Sequence, residues 1–238
     1  MYPNVSNEWA TISLLSDSNR SIARYGDGEL KICRGASAKA QSYDENLSRR
    51  LQEILISDNP NCLIGIPRIH PQTELPEQKR LFWRQYDQER YTRYYDLKKL
   101  YVSSFVTRPD SIPAINTPEY FNHVQKLWFD RDVILINGDN KCFDRDPGIL
   151  ANARSYERWE IPSANAWSIY ELLLAACKLQ DREKLFILAG GPMATVLAYD
   201  LSLEGYQALD LGHFGMFYAR LRRGESPSKS ECPPYMLE

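Results

Sequence analysis

The sequence predicts an α/β fold, a single domain built on a mostly parallel central sheet flanked by helices. Three observations lead there. Short β-branched or apolar runs alternate along the chain with longer helix-like segments. Two of those runs, Val133-Ile134-Leu135-Ile136 and Leu185-Phe186-Ile187-Leu188, are continuously apolar, as parallel strands covered on both faces must be. The chain has 238 residues, 43% hydrophobic and 25% charged, which suffices to bury a full core, and no repeat or low-complexity linker divides it.

Taken in order, strands are expected over 21–24, 62–66, 101–105, 133–137, 158–161, 185–189 and 207–211. Helices are expected over 45–56, 77–100, 118–128, 165–179 and 193–203. The last βαβ unit is the most explicit. An apolar strand ends at Ala189, Gly190-Gly191 turns the chain, and Pro192 sits where a first-turn proline is tolerated. Gly205 then stops the helix before the next strand. The expected domain spans 1–223. Residues 224–238, with Ser226-Pro227-Ser228-Lys229-Ser230 and Pro233-Pro234, read as a flexible tail.

Composition removes some function classes. A net charge of −2, with no long run of like charge, gives no pull toward nucleic acid. The five cysteines are odd in number, widely spaced and free of any C-x-x-C, which points to reduced thiols in a cytoplasm. Nowhere do about 18 uncharged apolar residues follow one another, so no membrane span is expected. Peripheral attachment at the inner face of a membrane stays open, with Arg220, Arg222 and Arg223 as its candidates.

The chemistry concentrates at strand ends. Arg24-Tyr25-Gly26-Asp27-Gly28-Glu29 places two carboxylates two residues apart on a glycine-flanked turn after the first strand. Hard oxygens of this kind suit Mg²⁺ or Mn²⁺ shared with substrate phosphates, and Gly26 and Gly28 let the backbone take positive φ close to a ligand. A plain Gly-Asp-Gly surface turn is the structural alternative. The helix start at Gly191-Pro192 offers free N–H groups and a positive dipole end to a phosphate, with Thr195 adding a hydroxyl; a tight βα connection is its alternative. Arg108, held extended before Pro109, is placed to clamp a diphosphate or to be a solvated loop residue. Ser163 and Asn165 cap the following helix or contact a base or ribose. Asp210 lies at the offset of a ribose-binding acid, but no G-x-G-x-x-G accompanies it. His213, after the last strand, is a candidate for phosphate binding or proton transfer and equally for a structural role. The aromatics Trp83, Tyr86, Tyr91, Tyr94 and Tyr95 read as core or rim before they read as sugar platforms.

Six motifs in order then resemble one family. Besides Arg24 to Glu29 they are Gly65-Ile66-Pro67, Ser103-Ser104-Phe105 with Thr107-Arg108-Pro109, Pro162-Ser163-Ala164-Asn165-Ala166, Gly191 to Leu201 and Gly205 to His213. Together they resemble the GT-D-fold glycosyltransferases of bacterial glycan gene clusters. The resemblance implies a single Rossmann-like domain that transfers a hexose from a UDP-sugar to a glycan acceptor on protein, lipid or polysaccharide. It implies Mn²⁺ or Mg²⁺ at the diphosphate, held through Asp27 and Glu29. Arg24, Gly26, Gly28, Arg108, Ser163, Asn165, Gly191, Pro192 and Thr195 are the donor-contact candidates. Glu29, Asp210 and His213 are the candidates for taking the acceptor proton. Met193 stands where the family pattern has a threonine. Two other classes are weighed beside this one: a Rossmann-type oxidoreductase using NAD or another nucleotide, and a non-catalytic partner subunit that binds glycan.

Overall fold

The computed structural model describes residues 2–88, 91–139 and 143–228. Within these residues the chain runs α1 (Glu8–Ser16), β1 (Ser21–Arg24), α2 (Asp27–Cys33), α3 (Glu45–Leu55), β2 (Cys62–Ile66), α4 (Glu77–Gln88) and β3 (Val102–Ser103). It continues through α5 (Pro118–Gln125), β4 (Asp132–Gly138), β5 (Ser155–Ile161), α6 (Tyr170–Lys178), β6 (Leu185–Ala189), α7 (Pro192–Leu203), β7 (Gln207–Asp210) and α8 (Phe214–Arg222).

The seven strands form one sheet in the order β3-β2-β1-β7-β6-β4-β5. Every strand pairing in it is parallel. Leu185, Phe186, Ile187 and Leu188 are all fully buried. Because successive side chains alternate faces, such a run requires cover on both sides of the sheet. One group of helices, α3, α6 and α7, packs together, with α7 lying against β1 and β7. The other, α1, α5 and α8, is joined by rings: Trp9 meets Tyr120 edge-on at 5.0 Å, and Phe121 stacks on Phe214 at 4.6 Å. The edge strand β5 is largely exposed and carries charge, which blocks edge-to-edge pairing.

The strand expectations hold at all seven positions to within three residues at each end. The third is shorter than expected. After Ser103 the chain tightens into a 3₁₀ turn, Ser104–Thr107, because the Ser103 hydroxyl accepts the Phe105 N–H at 3.1 Å. The expected helix over 77–100 stops at Gln88, and Tyr91–Tyr94 is a separate 3₁₀ turn. Tyr86 and Tyr95 are both buried. Nine positions on one straight helix put them on opposite faces, so a break is what lets both face the core. The start of the expected 165–179 helix is likewise a 3₁₀ turn, Ala166–Ile169.

Three helices, α1, α2 and α8, lie where the sequence reading places none. The second changes the view of the carboxylate pair, which sits on the first turn of a helix and not on a surface turn. Neither Gly26 nor Gly28 takes positive φ; Gly26 is extended at φ −115° as the N-cap of α2. At the other end, residues 224–226 bond back to α8, with Arg220 Nε donating to the Ser226 carbonyl at 2.7 Å. The rest of the expected tail, 229–238, lies outside the described residues, as do Cys142 and Cys232. Cys33, Cys62 and Cys177 are free and buried. Among the described residues no helix is long and apolar enough to cross a membrane.

Candidate functional site

The strand order reverses beside β4 and β6, since β4 connects outward to β5 while β6 connects inward to β7. Ligands of open parallel sheets sit at such a point, outside the carboxyl ends of the strands. A cleft of about 260 Å³ opens there. Arg24 comes from the end of β1, Asn137 and Gly138 from β4, Ala189 and Gly190 from β6, and Asp210 from β7. Trp83 and Phe105 supply an apolar wall.

Asp27 and Glu29 both line this cleft, but the helix separates them. Positions i and i+2 lie about 200° apart around a helix axis and do not face one another. Asp27 stays 40% exposed, 3.7 Å from Lys31 Nζ. Glu29 folds back so that its Oε2 accepts the Gly26 N–H at 2.7 Å, the acidic half of a capping box. Burial, followed by repulsion from Asp210, pushes its carboxyl up to about 7.

Asp210 and Arg24 form a buried clasp. Arg24 Nη2 reaches Asp210 Oδ1 at 3.1 Å and the Arg24 backbone N–H donates to Oδ2 at 3.2 Å. Nε donates to the Asp210 carbonyl, and Nη1 to Thr107 Oγ1 and, at 3.2 Å, to the Ser104 carbonyl. Thr195 completes the clasp, its hydroxyl donating to the Arg24 carbonyl at 3.0 Å. Burial raises the Asp210 carboxyl against the opposing pull of Arg24. The Thr195 hydroxyl expected at a phosphate is therefore buried and occupied. Asp210, equally occupied, has no free carboxylate for a ribose.

Arg108 lines the cleft as well, with Nε and Nη2 bonded to the two oxygens of Asp110 at 2.7 Å each. Gly191, at φ 60° and ψ −148°, turns β6 into α7 in a conformation open only to glycine, and Pro192 takes the first helical position. The amino end of α7 thus opens on the cleft beside α2, where a Cβ on Gly28 would lie 3.8 Å from Pro192 Cγ. Met193 is fully buried there. His213 lines the cleft at the N-cap of α8.

Ser163 reaches the cleft and donates its hydroxyl to Asp139. Neither it nor Asn165 caps a helix with its side chain. Asn165 takes the left-handed conformation at φ 53°, and its Oδ1 accepts the Ser42 N–H at 2.8 Å. Arg220, Arg222 and Arg223 are each within 4 Å of a carboxylate, Glu225, Asp146 and Glu225 respectively. Two polar cleft residues escaped the sequence reading. Asn137 is almost fully buried at the carboxyl end of an otherwise apolar strand, and that polar ending was the available signal. Lys39, exposed and in the cleft wall, carried no sequence signal at all.

Residues 22–230 match the family described as Glycosyltransferase GT-D fold. The chain belongs to that family. It is 31% identical over 222 residues to the probable glycosyl transferase Gly of Streptococcus gordonii, and 26% identical over 220 residues to glycosyltransferase GlyD of Streptococcus pneumoniae serotype 4. These alignments take in 91% and 90% of this chain but only 33% and 27% of those relatives, so this GT-D-fold chain spans a third or less of their length. Among solved structures it resembles the highly conserved domain of unknown function 1792 with its distinct glycosyltransferase fold. That match has a TM-score of 0.90 and 27% identity over 99% of this chain and 89% of the other. A new glycosyltransferase of the same domain type from Streptococcus sanguinis matches with a TM-score of 0.84 and 27% identity, over 99% of this chain and 96% of the other. The Rossmann-like GT-D architecture expected from the motifs is the one observed.

Proposed function

We infer that this domain transfers a hexose from a UDP-sugar donor to a glycan acceptor. The observation that carries the reading is the cleft itself, where the amino end of α7 and the carboxylates of α2 come together, in a chain of a glycosyltransferase family. The dipole at the amino end of α7, with the backbone N–H groups of its first turn other than at Pro192, which has none, suits the diphosphate of the donor.

The side chains present suit a divalent ion shared with that diphosphate. Asp27 offers an open carboxylate, and Mg²⁺ or Mn²⁺ in such sites is held by one or two carboxylates and completed by phosphate oxygens and water. Among the described residues no cluster of three or more His, Cys, Asp or Glu could hold an ion alone. When bound, the ion would offset the charge that builds on the departing diphosphate. Asp27 is the residue we assign to holding it. Glu29, which lines the same cleft with its Oε2 held by the Gly26 N–H, is assigned to the acceptor proton. The Arg24–Asp210 clasp holds the end of β1 in place beneath both.

Calorimetry of the chain with a panel of UDP-sugars, with and without Mn²⁺, tests this reading. We expect at least one UDP-sugar to bind more tightly with Mn²⁺, and Asp27→Ala to weaken that binding at least tenfold. Binding that is indifferent to both the metal and Asp27, or no binding of any UDP-sugar, would overturn it.

A further inference from the structure

The cleft is poor in available positive charge for a ligand that carries so much negative charge. Arg24 spends its guanidinium on Asp210, Ser104 and Thr107, and Arg108 spends two of its nitrogens on Asp110. Lys39 is the cleft-lining cation with no carboxylate within 4 Å among the described residues. We propose that Lys39 is the diphosphate-binding cation of this cleft, presented by a fastened turn rather than by a strand end. This assignment deepens the donor reading above and rests on it.

The turn is unusually well secured for a surface loop. Ala38 and Gln41 exchange both backbone hydrogen bonds, at 2.8 and 3.3 Å, leaving Lys39 and Ala40 as the two-residue tip. A segment more than 120 residues away in sequence then grips it. Asn165 N–H donates to the Ala40 carbonyl at 2.8 Å while Asn165 Oδ1 accepts from Ser42 N–H at 2.8 Å, so one residue clips the backbone on both flanks of Gln41. The Gln41 side chain is itself buried, and its Oε1 accepts the Trp167 N–H at 3.2 Å. A cation on a tip held this way has less backbone entropy to lose on binding, while its own stem stays mobile enough to follow the diphosphate.

The left-handed conformation of Asn165 fits the same account. Non-glycine residues adopt φ near 53° at an energetic cost, and asparagine is among the few that do so readily. Its side chain makes no cap to the turn that follows. Its bonds run instead to the Lys39 turn, which makes Asn165 a positioning residue for Lys39.

The test is calorimetry of the whole chain with Mn²⁺ and three probes: UDP, inorganic pyrophosphate and uridine. Lys39→Ala should weaken UDP and pyrophosphate about tenfold each, the range of one charge-assisted hydrogen bond, and leave uridine unchanged. Lys39→Arg should stay within threefold of the parent. Asn165→Gly, which keeps the left-handed backbone but loses the Oδ1 acceptor, should weaken pyrophosphate several-fold without altering uridine. Lys39 is exposed, so its variants should unfold at the parental temperature. Should the parent bind pyrophosphate through Lys39 but not UDP, the lysine assignment stands and the uridine-donor reading fails. Should Lys39→Ala bind UDP and pyrophosphate within twofold of the parent, or the parent bind neither, the proposal is overturned.

Discussion

Single atoms decide how the end of β1 is built, and Gly212 shows it most directly. A Cβ at this position would lie 2.6 Å from Arg24 Nη2, inside any real contact, and φ there is +51°. Gly35 has a comparable positive φ of +89°, yet its Cβ would meet nothing within 4 Å. The pair separates two costs that usually come together. Gly35→Ala should lose about 1 kcal/mol, the backbone penalty alone. Gly212→Ala should lose about 3 kcal/mol, since the alanine also displaces a buried guanidinium from its carboxylate. Urea unfolding of both variants checks the difference, and equal losses would mean that the clasp tolerates displacement. The glycines flanking Asp27 illustrate the opposite lesson. Sequence alone suggested that they serve positive φ, and neither does. Gly26 is the N-cap of a helix, and an added Cβ on Gly28 would meet Ala38 and Pro192 at ordinary contact distances in the cleft.

At the level of elements, legibility followed burial. Strands β4 and β6 were readable because continuous apolar runs have few alternatives to a covered parallel sheet. Helix α2 was not, since seven residues beginning Asp27-Gly28-Glu29 carry too little apolar periodicity to announce a helix. Its one clear signal was an acid at the third helical position behind a permissive N-cap. Lys39 was beyond sequence reading for a different reason, because its place in the cleft depends on Asn165 bonding across more than 120 residues. Asp110 provides another such link, joining Lys79 of α4, at 2.6 Å, to Arg108 behind β3. Burial alone would raise this carboxyl, but Arg108 and then Lys79 overrule it and hold it well below the 3.8 of an ordinary aspartate. A folded value below the unfolded one stabilises the protein fully above the unfolded value and ceases to do so as pH falls through the folded one. Asp110→Asn should therefore unfold more easily than the parent at pH 7, by about 2 kcal/mol, with the gap shrinking as pH drops below about 4. Urea midpoints at pH 7 and pH 3 measure it. A gap independent of pH would show that packing, not charge, is what the aspartate contributes.

For the whole molecule the decisive place is the middle of the sheet. Strands β1 and β7 share only one register pair, Ile22 with Leu209, whereas β4 and β5 share seven. This narrow seam joins β3-β2-β1 to β7-β6-β4-β5, and side chains reinforce it. Ser21 Oγ accepts the Ala208 N–H at 2.8 Å, Gln207 Nε2 donates to the Arg20 carbonyl at 3.1 Å, and the Arg24–Asp210 pair closes the cleft end. If the clasp is a working part of the seam, its two members must be energetically coupled. Arg24→Gln and Asp210→Asn should each cost about 2–4 kcal/mol, because each leaves a buried partner charge without its counterpart. The double variant should cost less than the sum by at least about 1 kcal/mol, the signature of residues in direct contact. Urea unfolding of the four proteins closes the cycle, and additivity within about 0.5 kcal/mol would show that the two act independently. The coupling also bears on binding. Helix α7 packs against both β1 and β7, so Gly191 and Pro192 at its amino end, with Asp27 in the same cleft, put a ligand beside the joint where the sheet shares its fewest register pairs, and its binding free energy adds to the stability of the whole fold. A donor diphosphate should accordingly raise the unfolding temperature of the Asp210→Asn variant by more degrees than that of the parent, wherever both bind it with equal affinity.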